Sequence, residues 1–298
     1  GDLIRTWRIT DLSVTCAALL HHGEGDPFCI LPAVQAYHAV NPLQHEELLA
    51  LWPLIVARAA VLVLSGEQQV SIDPGNTYSR DNLVHEWEIF RVATSVPLAL
   101  MEAAILSAVG QSLPGIGSEG FAPLLPSLVG REFALIDLGV LSPHFEAGNW
   151  EQEGIDQRLL DDAAAAHGLA ASRYGQYRLS RTRPDTAGEP DTCPLHVELR
   201  VPHGTAVEAP FAGVVHQPVP GVLQLDGPQL SVRLWGVTPS LHSGAALVKG
   251  QVLGSVSGPL MVQLCRGASF SAPLFCTPSR ADAWQALCPS PAMLLGLA

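Results

Sequence analysis

The chain changes in character near residue 195, and this change constrains its fold more than any other feature of the sequence. Before it, apolar residues occur in long runs at helical spacing. After it, short apolar runs such as VELRV, GVLQLDG and LSVRLWGV are separated by Gly and Pro. Regular short strands with turn residues between them are typical of a β-sandwich or an open barrel. We therefore expect an α+β, multidomain protein with a helical N-terminal part and an all-β C-terminal part.

The first 110 residues are expected to be helical. Asparagine is a good helix cap and proline fits the first helical turn, so Asn41-Pro42 predicts the start of a long helix. Ser79 is interpreted in the same way as a cap. The predicted helices run from Thr10-Asp11 to Leu20, over 31–40, from Asn41-Pro42 to about Leu64, from Ser79 to Val92 and over 96–109.

The middle of the chain, residues 111–194, is interpreted as a mixed bridge and linker. It is expected to hold a strand at 133–138, an amphipathic helix at 155–167 and a second strand at 174–179. The β domain is then predicted at 195–278, and a C-terminal helix and connector at 279–298.

Composition excludes some classes of function and location. The chain has 298 residues and a formal net charge of −12, which disfavours binding to nucleic acid. None of its six cysteines lies in a CxxC pair, so the usual spacing of a structural zinc site is missing. The start GDLIRTWRIT has no apolar core of a signal peptide. We expect free thiols in a cytoplasmic protein.

One apolar stretch, residues 48–64, could be either a membrane-spanning helix or a buried helix of a soluble protein. It is shorter than the roughly 20 residues that cross a bilayer, and it contains Pro53 and Arg58. We interpret it as a helix buried in a soluble core, with no membrane partner. Because this helix must bury its apolar surface against something, self-association into a homo-oligomer is expected.

Two segments of the β region, in which Gly and Pro separate short apolar runs, are informative about function. They are PHGTAVEAPFAGVV at 202–215 and ALVKGQVLGSV at 246–256. Similar phrases occur in biotinyl and lipoyl carrier domains and in lysostaphin/LytM-type metallopeptidases. A carrier domain needs a lysine at an exposed hairpin tip, whereas Lys249 lies in the turn before the last repeat strand. The carrier interpretation is therefore rejected.

Residues 195–264 resemble the lysostaphin/LytM family. The resemblance implies a sandwich or open barrel of that peptidase type, with zinc held by a first His, an Asp and the last His of a His-x-His pair. Aligning the motifs puts these residues at the family's site positions: Pro194, Glu198, Val237, Pro259 and Met261. Only Glu198 keeps the chemistry of a ligand, and one carboxylate does not hold a catalytic zinc. The resemblance therefore implies a pseudoenzyme.

The remaining histidines are the other candidates for a metal site. His196 and Glu198 are two residues apart on a predicted strand and so share a face. His203, His216 or His242 could complete such a site, but no spacing supports it. The sequence therefore predicts no metal and no cofactor in this chain.

The opening residues resemble the aminoglycoside-phosphotransferase/choline-kinase-like family. Gly1-Asp2 match the end of its metal-binding motif, Asp11 matches the start of the following helix, and AYHAVNPL at 36–43 also fits. The resemblance covers residues 1–110 and places the phosphate-binding and catalytic groups before Gly1. It implies no ATP binding, a solvated or capping role for Asp2, and an N-cap role for Asp11.

Residues 279–297 resemble the connection into a class III aminotransferase that uses pyridoxal phosphate. Together the resemblances imply the middle of a bacterial fusion protein, whose adjacent kinase-like and aminotransferase domains are the partners. The expected function is a noncatalytic scaffold or regulatory segment. The alternatives are a zinc peptidase with altered ligands, and support of a transferase whose catalytic residues lie outside this chain.

Overall fold

The computed structural model describes residues 7–116, 120–182, 188–267 and 270–297 and divides into two compact units. The first unit, residues 1–114, is helical, and the second, residues 115–298, is built on a sheet. The predicted α+β class is thus confirmed. The predicted bridge at 111–194 is not a separate body, because its strands and helix pack with the later strands in the second unit.

Among its described residues, the first unit has five α-helices and a short 3-10 helix at Pro27–Ile30. The α-helices are α1 (Ile9–Leu20), α2 (Leu31–Val40), α3 (His45–Ile72), α4 (Thr77–Ala93) and α5 (Leu98–Ala108). The predicted start of α3 at Asn41-Pro42 is wrong, because Gln44 and Glu47 form a reciprocal capping box one turn later. The helix also continues eight residues beyond the predicted end at Leu64.

Two predicted caps are also wrong. The N-cap of α4 is Asn76, whose side chain accepts a hydrogen bond from the backbone N–H of Ser79. Helix α1 begins at Ile9 with Arg8 as its N-cap, so Asp11 lies inside the first turn. There the negative charge of Asp11 interacts favourably with the positive end of the helix dipole, but its side chain does not cap a backbone N–H. Asp2 lies outside the described residues.

Helix α3 is long and apolar enough to cross a membrane by length and composition, with one third of its most apolar stretch buried in the unit. The core helices of soluble proteins pass the same test. Its buried residues Leu48, Leu51, Trp52, Ile55 and Ala59 follow helical spacing and form one face. This face packs against the neighbouring helices of the first unit.

The second unit is built around a sheet of nine strands, with a two-stranded ladder beside it. Its elements are β1 (Ala134–Ile136), α6 (Ile155–His167), β2 (Ala170–Ser172), β3 (Cys193–Pro194), β4 (Val197–Arg200), β5 (Ala206–Glu208), β6 (Gly213–His216), β7 (Val222–Asp226), β8 (Leu230–Pro239), β9 (Ala246–Leu247), β10 (Val252–Arg266), β11 (Phe275–Cys276), α7 (Ala281–Leu287) and α8 (Ala292–Leu295). The sheet order is β1-β2-β4-β10-β8-β7-β6-β9, β5 also pairs with β10, and β11 pairs with β3.

The predicted second strand at 174–179 is wrong. The strand that follows α6 is β2, which starts two residues after the helix-ending Gly168 and runs parallel to β1. Residues 174–179 instead form an irregular segment, in which the backbone N–H of Arg178 donates to the carbonyl of Thr192. This segment therefore lies next to β3 and carries Arg178 into the unit.

Strand β10 is the central strand of the sheet and pairs with β4, β5 and β8. Its pairing with β8 is interrupted between Val256 and Met261 by a register shift. At this point Gly236 has φ +76° and lies against the carbonyl of Pro259, where a Cβ atom would collide. The bulge fixes which residues of β10 oppose β4.

The C-terminal segment is attached to the sheet by several polar contacts. The hydroxyl of Tyr174 donates to the carbonyl of Cys288, and the guanidinium of Arg266 donates to that of Ala286 (2.8 Å). The buried Sγ atoms of Cys265 and Cys288 lie 3.4 Å apart. All six cysteines are free thiols in the structure.

Candidate functional site

The pairing of β4 with β10 brings two of the predicted site positions together. Glu198 is the cross-strand partner of Met261, and Met261 is in turn opposite Trp235 of β8. Glu198, Met261 and His196 line a cleft of about 670 Å³. The start of α6, including Asp156, and Phe275 of β11 form other parts of its wall.

A fully buried arginine lies at the base of this cleft region. The side chain of Arg178 places Nη1 3.2 Å from Oδ2 of Asp156 and Nη2 3.5 Å from Oε1 of Glu198. Asp156 and Glu198 are themselves 7% and 6% exposed. If one of these charged side chains were buried without the others, the folded state would be strongly destabilised. The three side chains therefore form one cluster in which two buried carboxylates share a single guanidinium.

His196 is fixed beside Glu198. Its Nδ1 lies 3.0 Å from the carbonyl oxygen of Leu274, and because that oxygen only accepts, Nδ1 carries a hydrogen. Its other ring nitrogen, Nε2, lies 3.6 Å from Oε1 of Glu198. The imidazole also packs edge-on against Phe275, whose ring face is covered by the guanidinium of Arg181.

The surroundings of Glu198 stabilise its ionised form. Burial alone would raise the pKa of this carboxyl group. The contact with His196 and the positive charges of Arg178 and Arg200 oppose burial and hold the pKa below its usual value. Arg200, which forms an ion pair with Asp161, thus extends the cluster along β4. Glu198 is a carboxylate at neutral pH.

Solved structures of other proteins resemble only part of this chain. No family model and no curated protein matches it. Parts of it are similar in structure to peptidases. A solution structure of lysostaphin matches at 19% identity and a TM-score of 0.24, covering 30% of this chain and 43% of that chain.

Two further peptidase structures give similar values. A mutant catalytic domain of the prophage-encoded M23 protein EnpA from Enterococcus faecalis matches at 19% identity and a TM-score of 0.24, covering 36% of this chain and 86% of that chain. A putative peptidase M23 from Pseudomonas aeruginosa matches at 18% identity and a TM-score of 0.24, covering 48% and 61%. The chain spans less than half of the lysostaphin chain that it matches. The likeness concerns the fold, and activity is a separate question.

The other predicted site positions lie apart from the cleft. Pro194 is in β3, opposite Phe275 of the two-stranded ladder. Val237 is buried in β8 opposite Val256, and Pro259 lies at the bulge of β10. None of these three lines the cleft as the structure describes it.

The residues around Glu198 do not fit the zinc that the resemblance implies. The guanidinium of Arg178 already neutralises this carboxylate, and a divalent cation beside it would be repelled. The thioether of Met261 is a soft ligand that suits Cu(I) rather than a hydrolytic zinc. Of the other predicted candidates, His216 faces Asp226 at 3.5 Å, whereas His203 and His242 are exposed in turns.

Sequence reasoning missed Arg178 and Asp156. Neither belongs to a motif, and Asp156 was only one of several acids on a predicted amphipathic helix. Buried arginines are rare, so composition gives no reason to expect Arg178 inside the unit. Only the fold, which brings the segment at 174–179 against β3, shows that the two residues meet Glu198.

Proposed function

We propose that the second unit is a noncatalytic, peptidase-like scaffold or regulatory domain. The observation that carries this proposal is the buried guanidinium of Arg178, which lies 3.5 Å from Glu198 and 3.2 Å from Asp156. A fixed positive charge beside the carboxylate supports this proposal, because it would oppose the binding of a metal ion there. The cluster is therefore suited to holding the fold together and unsuited to lowering the pKa of a metal-bound water.

Assays of peptide cleavage and metal content test this proposal. Wild-type protein and Glu198→Gln are purified without chelators, supplied with Zn²⁺ and assayed against a quenched fluorescent peptide library. We expect no cleavage by either protein and no difference between them in bound zinc. Zinc-dependent cleavage that Glu198→Gln abolishes would support the alternative of a peptidase with altered ligands.

The same cleft is proposed to take a small monocationic ligand, such as an amine or an amino acid, at the oxygen of Asp156 that faces away from Arg178 rather than beside Glu198. Its wall includes Glu151, Glu153, Asp156 and Glu198. The Oδ1 atom of Asp156 is buried and has no hydrogen-bond partner among the described residues. A buried acceptor without a partner is costly, and a side-chain movement that opens this oxygen to the cleft would let an ammonium group satisfy it.

Thermal-shift screening with amines, amino acids and nucleotides tests this ligand class. We expect stabilisation by an amine in the wild type and a smaller shift in Asp156→Asn. The control is Asp162→Asn, which changes an exposed acid on the same helix. No shift with any amine, or equal shifts in all three proteins, would contradict cation binding.

We further propose that the chain is the middle segment of a larger fusion protein and supports its kinase-like and aminotransferase domains. This proposal depends on the sequence resemblances at 1–110 and 279–297. Sequencing the gene on both sides of this segment tests it directly. Flanking reading frames without a kinase-like or pyridoxal-phosphate domain would contradict it.

A further inference from the structure

A group of potential metal ligands lies in the helical unit, far in sequence from the peptidase-like motifs. His21, His85 and Glu88 each offer a ligand atom, and these atoms all lie within 4.8 Å of one another. The rings of His21 and His85 have centroids 4.6 Å apart, and Nδ1 of His21 lies 3.8 Å from Oε2 of Glu88. It is the one such group of three among the residues that the structure describes.

The backbone presents the three side chains from two packed helices. His21 is the C-cap residue of α1. His85 and Glu88 are three residues apart on α4 and therefore share one face of that helix. Helices α1 and α4 contact each other, so the ligand atoms are gathered by the packing of the unit.

The Nδ1 atom of His21 gives a second reason to expect a ligand. It is buried and has no hydrogen-bond partner among the described residues, and Glu88 is too distant to supply one. A buried ring nitrogen without a partner is unfavourable, and coordination to a metal ion would satisfy it. His85 and Glu88 are exposed, so their side chains have the freedom to move toward an ion.

We propose that His21, His85 and Glu88 bind a divalent transition-metal ion, with Zn²⁺ as the best match. Two imidazoles and one carboxylate are a donor set typical of zinc sites with an open position. Zinc binds such atoms at about 2.0–2.2 Å, so tetrahedral ligand atoms lie about 3.3 Å apart. Closing the present group onto an ion therefore needs a side-chain movement of only about 1–2 Å.

The fourth position of the ion is open to a water molecule. The three protein ligands tie the C-terminal end of α1 to α4. The metal would thus stabilise the packing of two helices in the folded state, because the unfolded chain does not hold the ligands together.

Zinc titration by calorimetry, followed by Co²⁺ substitution and visible spectroscopy, tests the proposal on the full chain without an affinity tag. We expect one tightly bound zinc in the wild type, a tetrahedral Co²⁺ spectrum and a rise in melting temperature with zinc. His85→Gln and Glu88→Gln should each weaken binding at least tenfold and abolish the thermal shift. Both residues are exposed, so these variants should fold normally.

Matched variants separate this site from other sources of zinc binding. His242→Gln and Glu67→Gln change an exposed residue of the same type elsewhere and should bind zinc as the wild type does. Glu198→Gln should also bind zinc normally, which distinguishes this site from a peptidase-like one. No zinc binding by the wild type at micromolar concentration, or equal binding by His85→Gln, would overturn the proposal.

Discussion

At the scale of single residues, Arg178 determines the chemistry of the candidate site. It is fully buried and contacts two buried carboxylates, Asp156 and Glu198, whose negative charges it opposes. A buried ion pair is not in itself strongly stabilising, but removing one partner leaves the others uncompensated. The cluster is therefore sensitive to the loss of its one shared cation.

Replacing Arg178 should destabilise the second unit strongly. We expect Arg178→Met to lower the free energy of unfolding by about 3–5 kcal/mol, because it leaves buried carboxylates unpaired. Urea denaturation monitored by circular dichroism measures this change. The control Arg158→Met alters an exposed arginine of α6 and should change stability by less than about 0.5 kcal/mol. Equal stability of the two variants would contradict a structural role for Arg178.

The ionisation of Glu198 gives the stability of the unit a defined pH dependence. Its pKa is lowered in the folded state, so its contribution is fully present above the unfolded pKa of about 4.3. The contribution is lost as the pH falls through the lower, folded-state pKa. The stability difference between the wild type and Glu198→Gln should therefore be largest at neutral pH and shrink below about pH 4. A difference that is constant from pH 7 to pH 3 would contradict this assignment.

At the scale of secondary-structure elements, sequence patterns were reliable where one local signal dominated. The helix at 31–40 and the amphipathic helix at 155–167 have the predicted bounds. Helix starts were less predictable, since Asn41-Pro42 and the Gln44–Glu47 capping box are competing start signals within one turn, and α3 starts at the capping box. The strand predicted at 174–179 failed because its hydrogen bonds are made with loops and with the segment near β3 rather than with the sheet.

The candidate site was only partly predictable for the same reason. The motif alignment placed Glu198 at the family's Asp position and Met261 at its last His position, and in the structure the two residues are cross-strand partners. It could not place Arg178, because no local pattern distinguishes a buried arginine from an exposed one. Likewise, His21 and His85 are separated by 64 residues, and only helix packing brings them together.

The bulge between β8 and β10 offers a test at this scale. Gly236 has φ +76°, and a Cβ atom there would collide with the Pro259 carbonyl, so Gly236→Ala should cost more than about 2 kcal/mol of stability. Gly258→Ala is the control, because a Cβ at Gly258 meets nothing within 4 Å. Thermal denaturation of both variants measures the difference. Similar melting temperatures would show that the bulge tolerates a side chain.

At the scale of the whole molecule, the first unit leaves large apolar side chains exposed. Val61 and Leu64 of α3 are 51% and 68% exposed, and Val84 and Trp87 of α4 are 67% and 46% exposed. Each pair is three residues apart and so lies on one face of its helix. Exposed apolar surface of this kind favours association with other surfaces.

Self-association in solution is therefore expected. Light scattering after size-exclusion chromatography should show a mass that rises with protein concentration. Leu64→Lys combined with Trp87→Lys should shift the population toward monomer, because charges at these positions oppose apolar contact. Val219→Lys, at an exposed position of the second unit, is the control and should change nothing. A monodisperse monomer at all concentrations would contradict the prediction.

The buried guanidinium also limits the mutational routes by which the second unit could gain a hydrolytic metal centre. Introducing a histidine at 261, opposite Glu198, while Arg178 remains would place a new ligand beside a carboxylate that already contacts a fixed positive charge. Removing Arg178 first would pass through an intermediate with two buried, uncompensated carboxylates, Asp156 and Glu198. Each of these substitutions is unfavourable without the others. The present sequence therefore has no route to a metal-dependent site through single substitutions that are each favourable.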